Sequence, residues 1–414
     1  MMKKTKKRLL SLVLAAAALP AALGLRAGAA FETRVYLDDG GDLDITDMAQ
    51  LASDAPVGDS AAALAMPVRA AILIEKETGT VIYEKDADAK REPASVTKIM
   101  TILLIVEALE SGSLSLDDVV TTSAHAQSMG GSQIYLSEGE RMSVHEMLKA
   151  IVVASANDAA TAMAEHLAGS EPVFAERMNE RAAQLGMTNT HFTNASGLLD
   201  DTTHVTTARD VSIMARELIG HDFIKQYTTI WTDSVRGGSF SLTNTNKLMH
   251  SYSGMTGLKT GFTSRAGHCL TATASRDGVE YIAVVLGGDT SDARFAAAKT
   301  LLDYAFANFA LIDASPDEVL MPVRVELGKP KYVQPVVEGA GKLLVTREDA
   351  ASVEKTVEIS SLEQAPLAQG EQLGRFIIRS GERVIGEYAI VAGEDVSHVT
   401  WSDVFVELVS ILFA

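Results

Sequence analysis

Three short elements stand in order along the chain: Ser95-Val96-Thr97-Lys98, Ser155-Ala156-Asn157 and Lys259-Thr260-Gly261. Together they form the S-x-x-K, S-x-N and K-T-G set of serine acyl transfer. A serine hydroxyl is a weak nucleophile until a base takes its proton. Lys98 lies three residues beyond Ser95, which on a helix is the same face and within reach of the hydroxyl. A lysine acts as that base only if burial or a neighbouring cation lowers its pKa. Lys259, brought in on a strand, is the candidate cation. Ser95 at a helix start also has free N–H groups and a dipole that favour a developing oxyanion.

Spacing alone is weak evidence, because the chain holds a second copy, Ser352-Val353-Glu354-Lys355. That copy lies in strand-like sequence, where residues three apart point to opposite faces. No S-x-N or K-T-G element follows it. Cys269 has His268 beside it, but neighbours on a strand also face apart, so a buried structural thiol is expected.

The elements that must position these residues are legible in the hydrophobic pattern. Residues 70–74 and 81–83, two apolar runs around Gly79, read as a hairpin. After Pro93, the spacing Ile99, Leu103, Val106, Leu109 up to Gly112 predicts a buried helix. Ser143-x-x-Glu146 is a capping box that opens another. Helical patterns follow at 157–166, 171–185 and 207–219. Residues 257–262, 269–275 and 279–287 read as adjacent antiparallel strands, and 291–309 returns to helix. A helical block flanked by a sheet whose strands come from both of its ends is an α/β layered domain. Residues 316–395 give short, evenly spaced strands, including a hairpin turning at Gly381-Glu382, and read as a small all-β domain.

The first 29 residues have a basic start, an apolar run and an Ala27-Gly28-Ala29 end, the layout of a cleaved secretory signal peptide. An extracytoplasmic protein is therefore expected. Residues 30–66 hold eight acids and one base, Arg34, and read as a solvated acidic arm with little packed structure. The expected organisation is thus signal peptide 1–29, arm 30–66, catalytic domain 67–315, β-rich domain 316–395 and a C-terminal helix over 398–414.

That last segment places Asp403, Glu407 and Ser410 at helical spacing, with Trp401, Val404, Phe405, Leu408, Ile411 and Leu412 on the other side. It is too short to span a bilayer and is expected to lie in the interface, although it has no Lys or Arg. A helix docked on the β domain or on a dimer partner is the alternative.

Composition excludes other classes. The 36 Lys+Arg against 54 Asp+Glu, net −18, argue against a nucleic-acid partner. One cysteine rules out an intramolecular disulfide and any multi-thiolate metal site. No His-Glu-x-x-His spacing occurs, so no metal is expected, and no cofactor.

On these motifs the chain resembles the low-molecular-mass penicillin-binding proteins that are D-alanyl-D-alanine carboxypeptidases. The resemblance runs over roughly residues 65–395. It includes 155–158, Asn189-Thr190-His191-Phe192, Thr207-Ala208-Arg209-Asp210 and 257–266. It implies a transpeptidase-like (serine β-lactamase-like) α/β catalytic domain, a β-rich second domain and a C-terminal amphipathic anchor. By position, it makes Ser95 the nucleophile and Lys98 its base. Ser155 relays a proton to the leaving D-alanine, and Asn157 orients Lys98 and the substrate amide. Lys259, Thr260 and Gly261 line the opposite strand, and the N–H groups of Ser95 and Phe262 form the oxyanion hole. Arg294 falls where the family places a carboxylate-binding arginine; a solvated helix charge is the other reading of it. The implied partners are peptidoglycan stem peptides ending in D-Ala-D-Ala, β-lactam antibiotics and a membrane surface. The Ser-Ala-Asn element departs from the Ser-Asp-Asn of related enzymes at a middle position that varies across the superfamily.

A β-lactamase would use the same serine, but residues 181–199 contain no carboxylate to serve as a deacylating base. A non-catalytic penicillin-binding scaffold is expected to lose a motif residue, and none is missing. A DD-endopeptidase uses the same machinery, and the sequence leaves it open.

Overall fold

The computed structural model describes residues 33–37, 64, 66–198 and 202–413. The expected signal peptide and most of the acidic segment lie outside these residues.

Strands β1 (Ala70–Glu75) and β2 (Val81–Lys85) form the expected hairpin. Strands β3 (Met255–Thr263), β4 (Gly267–Arg276) and β5 (Val279–Gly288) complete an antiparallel sheet of order β2-β1-β5-β4-β3. The sheet therefore joins strands from both ends of the domain, and β3 is its edge. Alternating side chains separate two cores. Ile72, Ile74, Ile282, Val284 and Leu286 face the helical block. Ala71, Leu73, Tyr281, Ala283 and Val285 face the other way, toward Phe295, Leu301 and Leu302.

The helical block holds α1 (Lys98–Glu110), α2 (Val144–Lys149), α3 (Asn157–Ala168), α4 (Glu171–Gln184) and α5 (Ala208–Gly220). On α1, Ile99, Met100, Ile102, Leu103, Ile105 and Val106 are all buried, so it runs through the middle of the block. Truncating Leu103 to Ala there costs about 2–5 kcal/mol. Ser143 caps α2 as expected, with its Oγ accepting the Glu146 N–H at 3.2 Å. The Glu146 carboxylate meets the Arg236 N–H at 2.7 Å. Helix α6 (Ser291–Asn308) covers the second face of the sheet, capped by Thr290.

Strand β6 (Phe309–Asp313) leaves α6 and pairs with β8 (Lys342–Thr346), which ties the two domains together. In the second domain β7 (Pro335–Val337), β9 (Val353–Ser360), β10 (Gln372–Ser380) and β11 (Arg383–Ala392) lie in one sheet. A one-turn helix, Arg347–Ala350, stands among the short strands of this domain, which was expected to be all-β. Helix α7 (Trp401–Leu412) follows.

Part of the expected acidic arm is packed. Thr33–Leu37 is a strand that pairs in parallel with β9 at the sheet's edge, and Leu64 and Met66 join the core beneath the catalytic sheet. The run Thr-Arg-Val-Tyr-Leu has strong strand propensity, and a charge average over the whole arm hides it.

Candidate active site

Ser95 sits in a 3-10 turn, Ala94–Thr97, that runs straight into α1. Residues three apart eclipse in such a turn, which brings Lys98 back over Ser95. Lys98 Nζ lies 3.0 Å from Ser95 Oγ, 2.5 Å from Asn157 Oδ1 and 2.8 Å from the Ser196 carbonyl. The lysine is fully buried, and its pKa lies well below the ordinary lysine range. Burial is the main cause and the Lys259 charge the second, while Asp158 and Glu171 pull the other way. Lys259, also buried, is lowered to about 7 by burial and by Arg294, and its Nζ donates to the Thr260 carbonyl at 3.1 Å.

The turn that holds the serine is strained. Ala94 has φ +48°, a left-handed conformation that L residues rarely adopt and that clusters at functional sites. Thr97 Oγ1 donates to the Ala94 carbonyl at 2.8 Å and lies 2.8 Å from His204 Nε2. The Thr193 N–H donates to His204 Nδ1, so the imidazole proton sits on Nε2 and points at Thr97. Gly197 (φ +69°) passes so close that a Cβ would stand 2.0 Å from the Ala94 carbonyl oxygen. On the other side a Cβ at Gly261 would lie 3.0 Å from Ser95 N, so β3 can approach the serine only through a glycine.

Ser155 ends a π-helical turn, Ala150–Ala154, in the left-handed region at φ 61°, immediately before α3. It is buried, and no hydrogen bond joins it to the other candidate residues among the described residues. Asn157 spends its Nδ2 on the Gly130 carbonyl at 2.7 Å, and its N–H on Ser132 at 2.7 Å. Thr260 Oγ1 pairs with Thr245 Oγ1 at 2.6 Å. Phe262 is exposed and stacks on His268, with ring centroids 4.3 Å apart. Arg294 is a buried side chain, 9% exposed, and not a solvated helix charge. Its Nη1 donates to the carbonyls of Gly261 at 2.8 Å and Cys269 at 3.2 Å. Cys269 is buried and its thiol pushed up to about 11, the chemistry of a structural residue.

Direct contacts thus join Ser95, Lys98 and Asn157 in one group, and Gly261, Arg294 and Cys269 in another. Ser196, Gly197, His204, Asp158 and Glu171 were not singled out from sequence. The Asn194-x-Ser-Gly turn, in which Asn194 Oδ1 accepts the Ser196 and Gly197 N–H groups, carries a readable signature for two of them. Asp158 accepts N–H groups from Ile134, Leu136 and Ala159. Glu171 accepts the Ala195 N–H and faces His125. Both buried acids are therefore already engaged.

Residues 57–290 match the D-alanyl-D-alanine carboxypeptidase family model, and residues 314–398 match the C-terminal domain of penicillin-binding protein 5. The chain is 40% identical over 346 residues to D-alanyl-D-alanine carboxypeptidase DacF of Bacillus subtilis, covering 82% of this chain and 88% of the relative. It is 32% identical to D-alanyl-D-alanine carboxypeptidase DacC of Escherichia coli, covering 79% and 84%. Among solved structures it is similar to penicillin-binding protein 5 of Haemophilus influenzae, with a TM-score of 0.73 and 27% identity over 81% of this chain and 98% of that one. It is also similar to the ampicillin-bound form of penicillin-binding protein D2 of Listeria monocytogenes, with a TM-score of 0.54 and 33% identity over 59% and 99%. The chain belongs to the serine-type D-alanyl-D-alanine carboxypeptidases, with the β-lactamase-like catalytic domain and β-rich second domain of that family.

Proposed function

We propose that this carboxypeptidase removes the terminal D-alanine from peptidoglycan stem pentapeptides through an acyl-enzyme on Ser95. When neutral, the Lys98 amine can donate its two hydrogens to the pure acceptors Asn157 Oδ1 and Ser196 O, which leaves its lone pair for Ser95 Oγ–H. The three contacts of the buried amine are the observation that supports the reading most.

Ser95 Oγ attacks the carbonyl of the penultimate D-alanine as Lys98 takes the proton. The N–H groups of Ser95 and Phe262 hold the oxyanion, each such donor being worth about 10²–10³-fold in rate. Ser155 passes the proton to the departing amine, Asn157 orients Lys98 and the substrate amide, and Lys259, Thr260 and Gly261 border the substrate along β3. Water then hydrolyses the ester, with the lysine as base again. Arg294 Nη2, which has no hydrogen-bond partner among the described residues, is the group that meets the terminal carboxylate. A β-lactam acylates the same serine. Asp158 and Glu171, the two acids whose charges act on Lys98, are both engaged elsewhere, so neither is free to speed deacylation, and the penicilloyl adduct is long-lived.

Mass spectrometry of a stem pentapeptide after incubation tests this. Loss of one D-alanine is expected. Cleavage of cross-linked dimers with the pentapeptide untouched makes the enzyme an endopeptidase, and an intact pentapeptide and dimer overturn the reading.

The site of action is the outer face of the cytoplasmic membrane. No described helix is long and apolar enough to cross a membrane. Helix α7 meets the β domain by its polar face: Lys329 pairs with Asp403, and Lys331 with Glu407 at 2.9 Å. Trp401, Phe405, Ile411 and Leu412 are left exposed, the reverse of an ordinary docked helix, which favours a bilayer interface over the docked alternative. The two lysines also neutralise the acids that would oppose anionic lipid. Deleting residues 398–414 should free the enzyme from the membrane fraction with its peptide activity kept; retention in that fraction contradicts the anchor.

A further inference from the structure

Arg294 has a second task that its expected role as carboxylate reader does not cover. Its Nη1 is bound inside the protein, to the Gly261 carbonyl at 2.8 Å and the Cys269 carbonyl at 3.2 Å. In a trans peptide the C=O and the following N–H point in opposite directions. The Gly261–Phe262 bond is not among the cis bonds of the chain. With the Gly261 oxygen turned toward Arg294 and β4, the Phe262 N–H must point out of the open edge of β3. That edge faces the Ser95 turn, since a Cβ on Gly261 would stand 3.0 Å from Ser95 N and 2.8 Å from the Pro93 carbonyl oxygen. The two N–H groups assigned to the oxyanion hole therefore border one space, and Arg294 holds the far end of the peptide that supplies one of them.

We infer that Arg294 is a positioning residue for the oxyanion hole, acting through the Gly261–Phe262 peptide. This rests on the Ser95 acyl-enzyme reading given above. The guanidinium does two things there. It fixes the peptide plane, since a flip of that peptide would break the shorter of the guanidinium's two carbonyl hydrogen bonds and leave the Gly261 oxygen without this donor. A charge-assisted hydrogen bond to the carbonyl also polarises the amide and strengthens its N–H as a donor to the developing negative charge. The donor is thus organised before the substrate arrives, which is where oxyanion stabilisation gains most.

The arrangement is costly to keep. Arg294 Nε is buried with no hydrogen-bond partner among the described residues, none of whose carboxylates pairs with the guanidinium, and a buried cation so placed is poorly compensated. A clamp needed only to join β3 to β4 would be better made from apolar side chains, so the retained charge points to the reaction. Burial also lowers the Arg294 pKa, and its charge adds to burial in lowering Lys259 and His268.

Carboxylate reading and oxyanion positioning separate on a substrate without a carboxylate. The test measures single-turnover acylation of Ser95 by a diacyl-L-lysyl-D-alanine ethyl ester, whose leaving group is ethanol. It also measures inhibition by an acylaminomethyl boronic acid lacking a carboxylate, whose tetrahedral adduct puts an oxygen in the hole. Arg294→Ala should slow the ester's acylation rate by about tenfold or more, a fraction of the loss on deleting a donor outright. Ester binding should change by less than twofold, and boronate affinity should fall by the same factor as the rate. Arg294→Lys, which restores a cation, should recover most of both, and Arg294→Gln should recover less. Ester acylation within twofold of wild type in Arg294→Ala overturns the inference and leaves only the carboxylate role. So does a loss that follows melting temperature across the three variants while boronate affinity stays unchanged. Failure of the wild-type enzyme to acquire the ester's acyl group on Ser95 is a separate result, and it would refute the acyl-enzyme reading itself.

Discussion

Ser95 to Lys98 and Ser352 to Lys355 are the same spacing of the same two residues in two regions of one chain. In the catalytic domain a 3-10 turn feeding α1 brings the amine 3.0 Å from the hydroxyl, in a pocket that withholds water from the charge. In the β domain the lysine lies on β9 and the serine just before it, and they part. Ser352 Oγ meets Ser380 Oγ at 2.8 Å, while Lys355 Nζ pairs with Asp317 and the Ser315 carbonyl. A motif is chemistry only where the backbone period superimposes its ends and the surroundings supply the pKa.

The sharpest way to break this comparison is to remove each lysine in turn. Lys98→Ala should slow acylation by a fluorescent penicillin about 10²–10⁴-fold, with circular dichroism unchanged, because it deletes a general base and not a core hydrophobe. Acylation within threefold of wild type would mean another group takes the proton. Lys98 also leaves a pH signature in stability. A lysine with a depressed folded pKa binds its proton more tightly when unfolded, so wild type should gain stability relative to Lys98→Met as pH rises from 7 toward 10. A gap independent of pH would show that Lys98 is charged in the fold.

The next effect concerns the charge that distinguishes the two pockets. Acylation needs Lys98 neutral, so its rate should rise with pH through the depressed Lys98 pKa. Loss of the Lys259 proton near pH 7 should contribute a decline of up to about tenfold per pH unit above that pH. Lys259→Arg, which stays protonated, should abolish that decline. An alkaline limb that persists in Lys259→Arg belongs to another group.

The smallest effect belongs to the other region. Lys355→Ala should leave acylation at the wild-type rate and lower stability by about 1 kcal/mol, the loss of a partly exposed ion pair, readable in urea titrations. A slowed acylation would mean the two domains are coupled more tightly than the β6–β8 seam implies.

Much of the site was legible because local rules carry it. The Ser95–Lys98 relation follows from helix period, the β3–β5 strands from apolar runs, and the dismissal of Ser352 from strand alternation. What stayed hidden was tertiary. The Ser196 carbonyl reaches Lys98 across 98 residues of sequence, and nothing near either residue announces the pairing. The left-handed turns at Ala94 and Ser155 fall on residues other than Gly or Asn, so no local signature marks them. Arg294 was found by position, but its grip on the Gly261 carbonyl depends on how α6 crosses the sheet. The Thr33–Leu37 strand was lost because charge was averaged over a long segment, and the inward polar face of α7 because its partners, Lys329 and Lys331, lie in another element.

The central claim is that only the helical copy of the motif is a nucleophile with its base. Intact-mass measurement after penicillin treatment of the wild type, Ser95→Ala and Ser352→Ala tests it directly. The wild type and Ser352→Ala should each gain one drug mass and Ser95→Ala none. A label that survives in Ser95→Ala, or that disappears in Ser352→Ala, would contradict the account.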